Sequence, residues 1–409
     1  MSVPDSLPLP VATDRHSPNV PLRYPGTDDH GKLWEKPPPH PPETERLPEG
    51  RPPFIAVLGS SGFKEIGDPI RLDLASGGTI PGLALAAGIN REWRRIANAG
   101  VPSHKILRPA DGLRWYERKN LDLAGMYDMS AVETWLADWL KWAGVETFRD
   151  LRYRPGDIKP PTVEHRAGIC VSIWRTKQPY PARCTKEELR DPAFIHKAFR
   201  WAFFGRQFPF KQFEQMWVPD TVGRHLPWLA DEIDDHSPAY WAKVSMSQWP
   251  AAIPTLLQDP RTRQLIILGD GGHIDNQPSL FNDGHRPPFP LLNPRLQQNR
   301  RQRGIRQIHR DARRMPFGAV LRFKVTPETK MSSLQGHSLT WQERDAMWRR
   351  GVEQGREFLP AALTDLLRTF EDSGSRNGHT PVEVPGLHLF QLIAARRRQH
   401  TAGRWGIRS

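Results

Sequence analysis

The stretch that most constrains the fold is Leu268 to Pro278, LGDGGHIDNQP, with the aliphatic run Leu265-Ile266-Ile267-Leu268 that leads into it. A short apolar run that stops at glycines reads as a buried strand ending in a tight turn. Gly271 and Gly272 accept backbone angles closed to other residues and let neighbouring groups approach Asp270. A carboxylate held at the end of a buried strand is placed to orient or deprotonate a nucleophile. Taken alone, Asp-Gly-Gly is most often just a turn.

Two further strand-to-loop transitions lie upstream. Phe54-Ile55-Ala56-Val57-Leu58 is a short apolar strand that runs into Gly59-Ser60-Ser61-Gly62-Phe63-Lys64-Glu65. Small residues after a strand let backbone N–H groups converge on an anion, although a plain turn reads the same way. Next, Ile70-Arg71-Leu72-Asp73-Leu74 alternates like a strand and meets Ala75-Ser76-Gly77-Gly78-Thr79. A small-residue helix follows from Ile80, with Pro81 in its first turn and Gly88 as its stop. Strand, sharp turn and helix form the geometry that lifts a serine hydroxyl above a sheet, and Gly77 and Gly78 leave room around Ser76. A serine hydroxyl needs an adjacent base to act as a nucleophile, and Asp270 is the candidate.

At 409 residues the chain suits one large domain or two ordinary ones. Residues 1–52 are rich in proline, with Pro37-Pro38-Pro39 and Pro41-Pro42 close together, and read as a disordered or extended tail. A domain is expected over 53–370, and a linker with a basic C-terminal helix over 371–409. The mean hydropathy is −0.61, and no run of about 18 apolar residues suggests a spanning helix. The opening residues lack a basic start followed by an apolar block, so no secretory signal is expected. With only Cys170 and Cys184, a disulfide framework and a cysteine-rich zinc site are excluded, and a reducing, cytoplasmic setting is the simplest. A net charge of +13 favours an anionic partner without choosing among lipid headgroups, nucleic acid and acidic protein.

Other elements are visible by pattern. Asn90 is a candidate cap for a helix ending near Gly100. Ser130 and Glu133 have the spacing of a capping box. They open a helix whose Val132, Trp135, Leu136, Trp139 and Leu140 form a core stripe, stopped by Gly144. Ile169 to Trp174 reads as a buried strand. Asp191-Pro192 opens an aromatic helix through Phe194, Phe199, Trp201 and Phe204, whose aromatic face is core or a membrane-facing lid. Arg295 to Arg314 is a basic run, either a phosphate-contacting surface or a solvated helix face. Gly318 to Val325 looks like a last strand, and Thr340 with Glu343 caps a closing helix.

Several of these segments, in the same order, resemble patatin-like phospholipases, a family of serine acyl hydrolases with a Ser–Asp dyad. D-G-G-x-x-D-N-x-P from Asp270 to Pro278 is similar to the family's catalytic-aspartate motif. Ser76 and Gly78, before a small-residue helix, are similar to its G-x-S-x-G segment, with Leu74 where the family has its first glycine. Ser60 to Glu65 matches the G-G-G-x-[KR]-G loop at Gly62 and Lys64. Gly125-Met126-Tyr127-Asp128, the following helix and Thr147-Phe148-Arg149-Asp150-Leu151 resemble another family segment, and Ala251-Ala252-Ile253-Pro254 a third. Only 12 positions separate Lys64 from Ser76, where family members carry a helix.

The resemblance implies a three-layer α/β/α fold with a mostly parallel central sheet. It implies Ser76 as nucleophile, Asp270 as base, an oxyanion hole at Ser61, Gly62 and Phe63, and supporting glycines at Gly77, Gly78, Gly271 and Gly272. No metal or cofactor is called for. The implied substrate is a phospholipid or other lipid ester, with Arg295–Arg314 and Arg396–Arg398 facing an anionic membrane surface. Two rival readings remain: a non-catalytic lipid- or partner-binding protein on the same fold, and a basic nucleic-acid-binding protein, which lacks any recognisable nucleic-acid motif.

Overall fold

The computed structural model describes residues 55–58, 69–89, 108–109, 125, 127–157, 159–160, 162–203, 212–249, 252–274, 279–280, 291–297 and 318–324, with Arg349 and Glu353 beyond them. The proline-rich tail, the Ser61–Phe63 loop, the helix after Asn90, Asp275 to Pro278, the arginines from Arg300 to Arg314 and the C-terminal basic helix lie outside these residues. So does the closing helix, apart from Arg349 and Glu353, which are helical and exposed.

The fold is mixed α/β. Eight described strands form one open sheet: β1 (Ile55–Leu58), β2 (Arg71–Ala75), β5 (Ala167–Pro179), β6 (Glu214–Val218), β7 (Thr255–Gln258), β8 (Gln264–Asp270), β9 (Leu291–Gln297) and β10 (Gly318–Lys324). Two short strands, β3 (Arg108–Pro109) and β4 (Tyr127–Asp128), pair separately. The order β10-β9-β1-β2-β5 is parallel throughout. β6, β8 and β7 are antiparallel additions. β9 was not evident in the sequence because Pro294 interrupts its apolar pattern. Its pairing with β1 stops at Leu292, before that proline, which has no N–H to donate.

The long strand β5 sets the architecture. β2 runs parallel beside Ala167 to Cys170, and β8 runs antiparallel beside Val171 to Arg175. β6 occupies the opposite edge from Ile169 to Ile173. A strand has two edges, so β2 and β8 must share one and meet end to end on it. Ala75 pairs with Cys170 and Asp270 with the next residue, Val171. Two strands distant in sequence thus deliver their C-terminal ends to one point.

Alternation along β8 divides the core. Ile266 and Leu268 join a cluster with Leu72, Leu74, Leu83, Trp135, Trp139 and Trp241. That cluster is covered by the helices α1 (Thr79–Ala86), α2 (Ser130–Trp142) and α4 (Pro238–Met246). Leu265 and Ile267 point the other way, toward Tyr180, Phe213 and the helix α3 (Pro192–Phe203). The aromatic face of α3 is therefore core where it is buried, at Ile195, Ala198 and Phe199. The stripe expected on α2 is buried as read.

One local expectation is corrected. Ser130 is not the cap of α2 but its first residue. Met129 holds the cap position, and the Asp128 carboxylate before it accepts from the Ser130 N–H at 2.9 Å and the Ser130 hydroxyl at 2.6 Å. All five residues of β2 are buried, the charged ones included. Arg71 is fully buried because its guanidinium donates to Asp73 at 3.1 Å, to Asp220 at 2.5 Å and to the His165 carbonyl at 2.5 Å. A buried charge persists only when paired in this way.

The segments that resemble the patatin family also touch one another. Ile253 N–H donates to the Tyr127 carbonyl at 2.9 Å, and Tyr127 bridges Ala252. Gly125 sits at φ +157°, and a Cβ there would overlap the Ala252 and Ile253 backbone. In Thr147 to Leu151 the pattern is structural: Asp150 and Thr147 form a reciprocal capping box, and Phe148 and Leu151 are core.

Candidate active site

Ser76 follows the last residue of β2, where Ala75 is still extended. The chain then turns sharply, with Ser76 at φ +50°. For a residue with a Cβ this left-handed angle costs about 1–2 kcal/mol and needs support from its surroundings. A single turn of tight helix, Ser76–Gly78, passes into α1. Both backbone groups of Ser76 are held by hydroxyls. Its N–H donates to Ser245 Oγ at 2.9 Å, and its carbonyl accepts from Thr79 Oγ1 at 2.7 Å. Leu74, which stands where the family has glycine, turns its side chain onto Gly82 of α1. The strand-to-helix corner is therefore closed by packing.

Asp270 is the last residue of β8 and is 3% exposed. The Ser76 hydroxyl donates to Asp270 Oδ2 at 2.9 Å. The other carboxylate oxygen, Oδ1, accepts from Gly272 N–H at 2.6 Å, so Asp270 caps the short turn Gly271–His273. Gly271 has to be glycine, since a Cβ there would overlap the Cys170 carbonyl. The Asp270 backbone is fixed as well: its N–H donates to the Ser247 carbonyl at 3.1 Å and its carbonyl accepts from Ser172 Oγ at 2.7 Å.

Burial pushes the Asp270 carboxyl up from the ordinary 3.8 to about 6, against the opposing hydrogen bonds from Gly272 and Ser76. A carboxylate raised in this way is a stronger base than one in water and is still ionised at neutral pH. His273, three residues on, places its ring Nδ1 3.2 Å from Ser172 Oγ. Ser172 spends its single proton on the Asp270 carbonyl, so His273 Nδ1 is the donor in that contact. Burial lowers its pKa to about 4, which keeps the ring neutral.

Of the residues singled out from the sequence, the structure brings Ser76, Gly77, Gly78, Asp270, Gly271 and Gly272 together. Ser61, Gly62 and Phe63 are outside the described residues. The strand that leads to them, β1, pairs alongside β2 with Leu58 opposite Leu74, so it ends at the same edge of the sheet as Ser76. Beneath the turn, Asp73 Oδ2 accepts from Ser279 Oγ at 2.8 Å and Leu280 N–H at 3.0 Å. The chain leaving the Asp270 turn is thereby tied back to the strand that carries Ser76.

Sequence reasoning gave no role to Ser245, Ser247 or Ser172. Their signal was present only as hydroxyls in or near buried segments, without a motif of their own. Among the described residues no group of His, Cys, Asp or Glu side chains is arranged to hold a metal ion. No helix among them is long and apolar enough to cross a membrane. No protein-family model matches the chain, and no curated protein matches it significantly.

Proposed function

We propose that the chain is a serine acyl hydrolase of patatin-like type that cleaves acyl esters of phospholipids or other lipids through a Ser76–Asp270 dyad. The observation that carries this reading is the 2.9 Å hydrogen bond from a serine hydroxyl at φ +50° to a buried carboxylate. The helices packed against both faces of β8 support the three-layer part of this reading.

In the proposed reaction, Asp270 takes the proton from Ser76 Oγ as that oxygen attacks the ester carbonyl. The tetrahedral oxyanion is met by backbone N–H groups around Ser61–Phe63. Collapse breaks the ester C–O bond, and Asp270 returns its proton to the departing alkoxide. A water, deprotonated by Asp270, then attacks the acyl-serine and releases the fatty acid, with the proton going back to Ser76. No histidine takes part. The basic stretches Arg295–Arg314 and Arg396–Arg398 would hold the enzyme at an anionic membrane surface from the cytoplasmic side.

The test compares wild type with Ser76→Ala on a chromogenic short-chain ester and on phospholipid mixed micelles. Loss of about 10³-fold or more in kcat is expected, as for other nucleophile removals. Equal rates would remove the hydrolase reading and leave a non-catalytic protein on this fold.

A further inference from the structure

The dyad joins two strand ends, and one short helix grips both. The N–H of Ser76 has no place in the sheet ladder, since the β2–β5 pairing ends at Ala75. It is taken by Ser245 Oγ on α4, whose own proton goes to the Cys170 carbonyl on β5 at 2.6 Å. Two residues later, the Ser247 carbonyl at the end of α4 takes the N–H of Asp270. The Cys170 carbonyl is also the atom against which Gly271 packs. Nucleophile and base are thus both registered on one turn of α4 and on one carbonyl of β5.

We infer that the C-terminal turn of α4 sets the separation of the dyad, with Ser245 as the positioning residue for the nucleophile. This rests on the hydrolase reading for its kinetic consequence. A hydroxyl is the smallest side chain that accepts from one backbone group and donates to another at once. Ser245 is fully buried, so no water replaces it when it is removed. Without it the left-handed turn at Ser76 loses its tie to β5, and Oγ drifts from the carboxylate. Displacements on the order of 1 Å in such geometry lower turnover by roughly 100-fold.

The experiment measures kcat, KM and amide hydrogen exchange of the Ser76 segment in Ser245→Ala, Ser245→Thr and Ser237→Ala. Ser237 caps the opposite end of α4 through its hydroxyl, which accepts from Ala239 N–H at 3.2 Å. Its loss weakens the helix without touching the dyad. The expected result for Ser245→Ala is a kcat reduced on the order of 10- to 100-fold at unchanged KM, with faster exchange at Ser76. Ser245→Thr, which keeps the hydroxyl, should recover most of the rate, and Ser237→Ala should leave kcat unchanged. Equal effects of Ser245→Ala and Ser237→Ala on kcat and on exchange would overturn the inference. If wild type hydrolyses nothing, the hydrolase reading fails on its own, and exchange at Ser76 still decides the positioning claim. Should Ser245→Ala fail to fold, Ser245→Cys, whose thiol is a weak donor and acceptor, takes its place: lower kcat and faster exchange at Ser76 than in Ser237→Ala support the tie, and values equal to those of Ser237→Ala overturn it.

Discussion

Replacing Asp270 by asparagine is expected to stabilise the protein and abolish its chemistry together. In the folded chain burial holds the Asp270 carboxyl near 6, whereas its ordinary value is 3.8. The folded protein therefore binds this proton more tightly than the unfolded chain does. Stability is then greatest where the group is protonated, and it falls as pH rises from about 4 to about 6. At 1.36 kcal/mol for each pH unit, ionising this buried carboxylate costs about 3 kcal/mol at neutral pH. An asparagine of the same shape avoids that cost. Its oxygen can accept from Gly272 N–H, and its amide can donate to Ser76 Oγ, so no buried group is orphaned. Urea unfolding of Asp270→Asn and wild type, measured at several pH values, reports the difference, and every other titrating group cancels. About 1 kcal/mol in favour of the variant is expected at pH 4.5, growing to about 3 kcal/mol at pH 7.5. A variant that is no more stable at pH 7.5, or a difference that does not change with pH, would refute the claim of an ionised, poorly solvated base.

Two other outcomes follow from the same geometry. The base must be ionised to accept the Ser76 proton, so kcat/KM should fall as pH drops through about 6. About a tenth of the plateau rate should remain at pH 5, and a limb set by a histidine-like group near 7 would contradict the histidine-free dyad. Gly125→Ala should destabilise the fold by about 1–3 kcal/mol in thermal or urea unfolding, because the new Cβ overlaps the backbone of Ala252 and Ile253, which cannot rotate away. Wild-type stability in that variant would mean that the two segments do not pack as described.

Much of the site was legible because its parts are local. The aliphatic run before Asp270 and the small-residue corner at Ser76 are each complete within a dozen residues, and period and turn chemistry identify them. Their meeting was legible only through the resemblance, since nothing in either segment states that β2 and β8 share an edge of β5. Arg71 and Asp73 are buried through Asp220, 149 positions away from Arg71, and Ser279, 206 positions away from Asp73, and local reading has no access to such partners. The role of Ser245 was hidden for the same reason: its hydroxyl links two backbone groups that lie 169 and 75 positions off. The helix α4 itself went unread because its apolar moment is weak: it is buried on nearly all sides.

The central claim is that Ser76 is a nucleophile made reactive by Asp270. Treatment with a fluorophosphonate probe, followed by peptide mass mapping, tests it without knowledge of the substrate. A single adduct on Ser76 is expected in wild type, greatly slowed in Asp270→Asn and absent in Ser76→Ala. Modification at another serine, or no adduct on Ser76 in folded wild type, would contradict it.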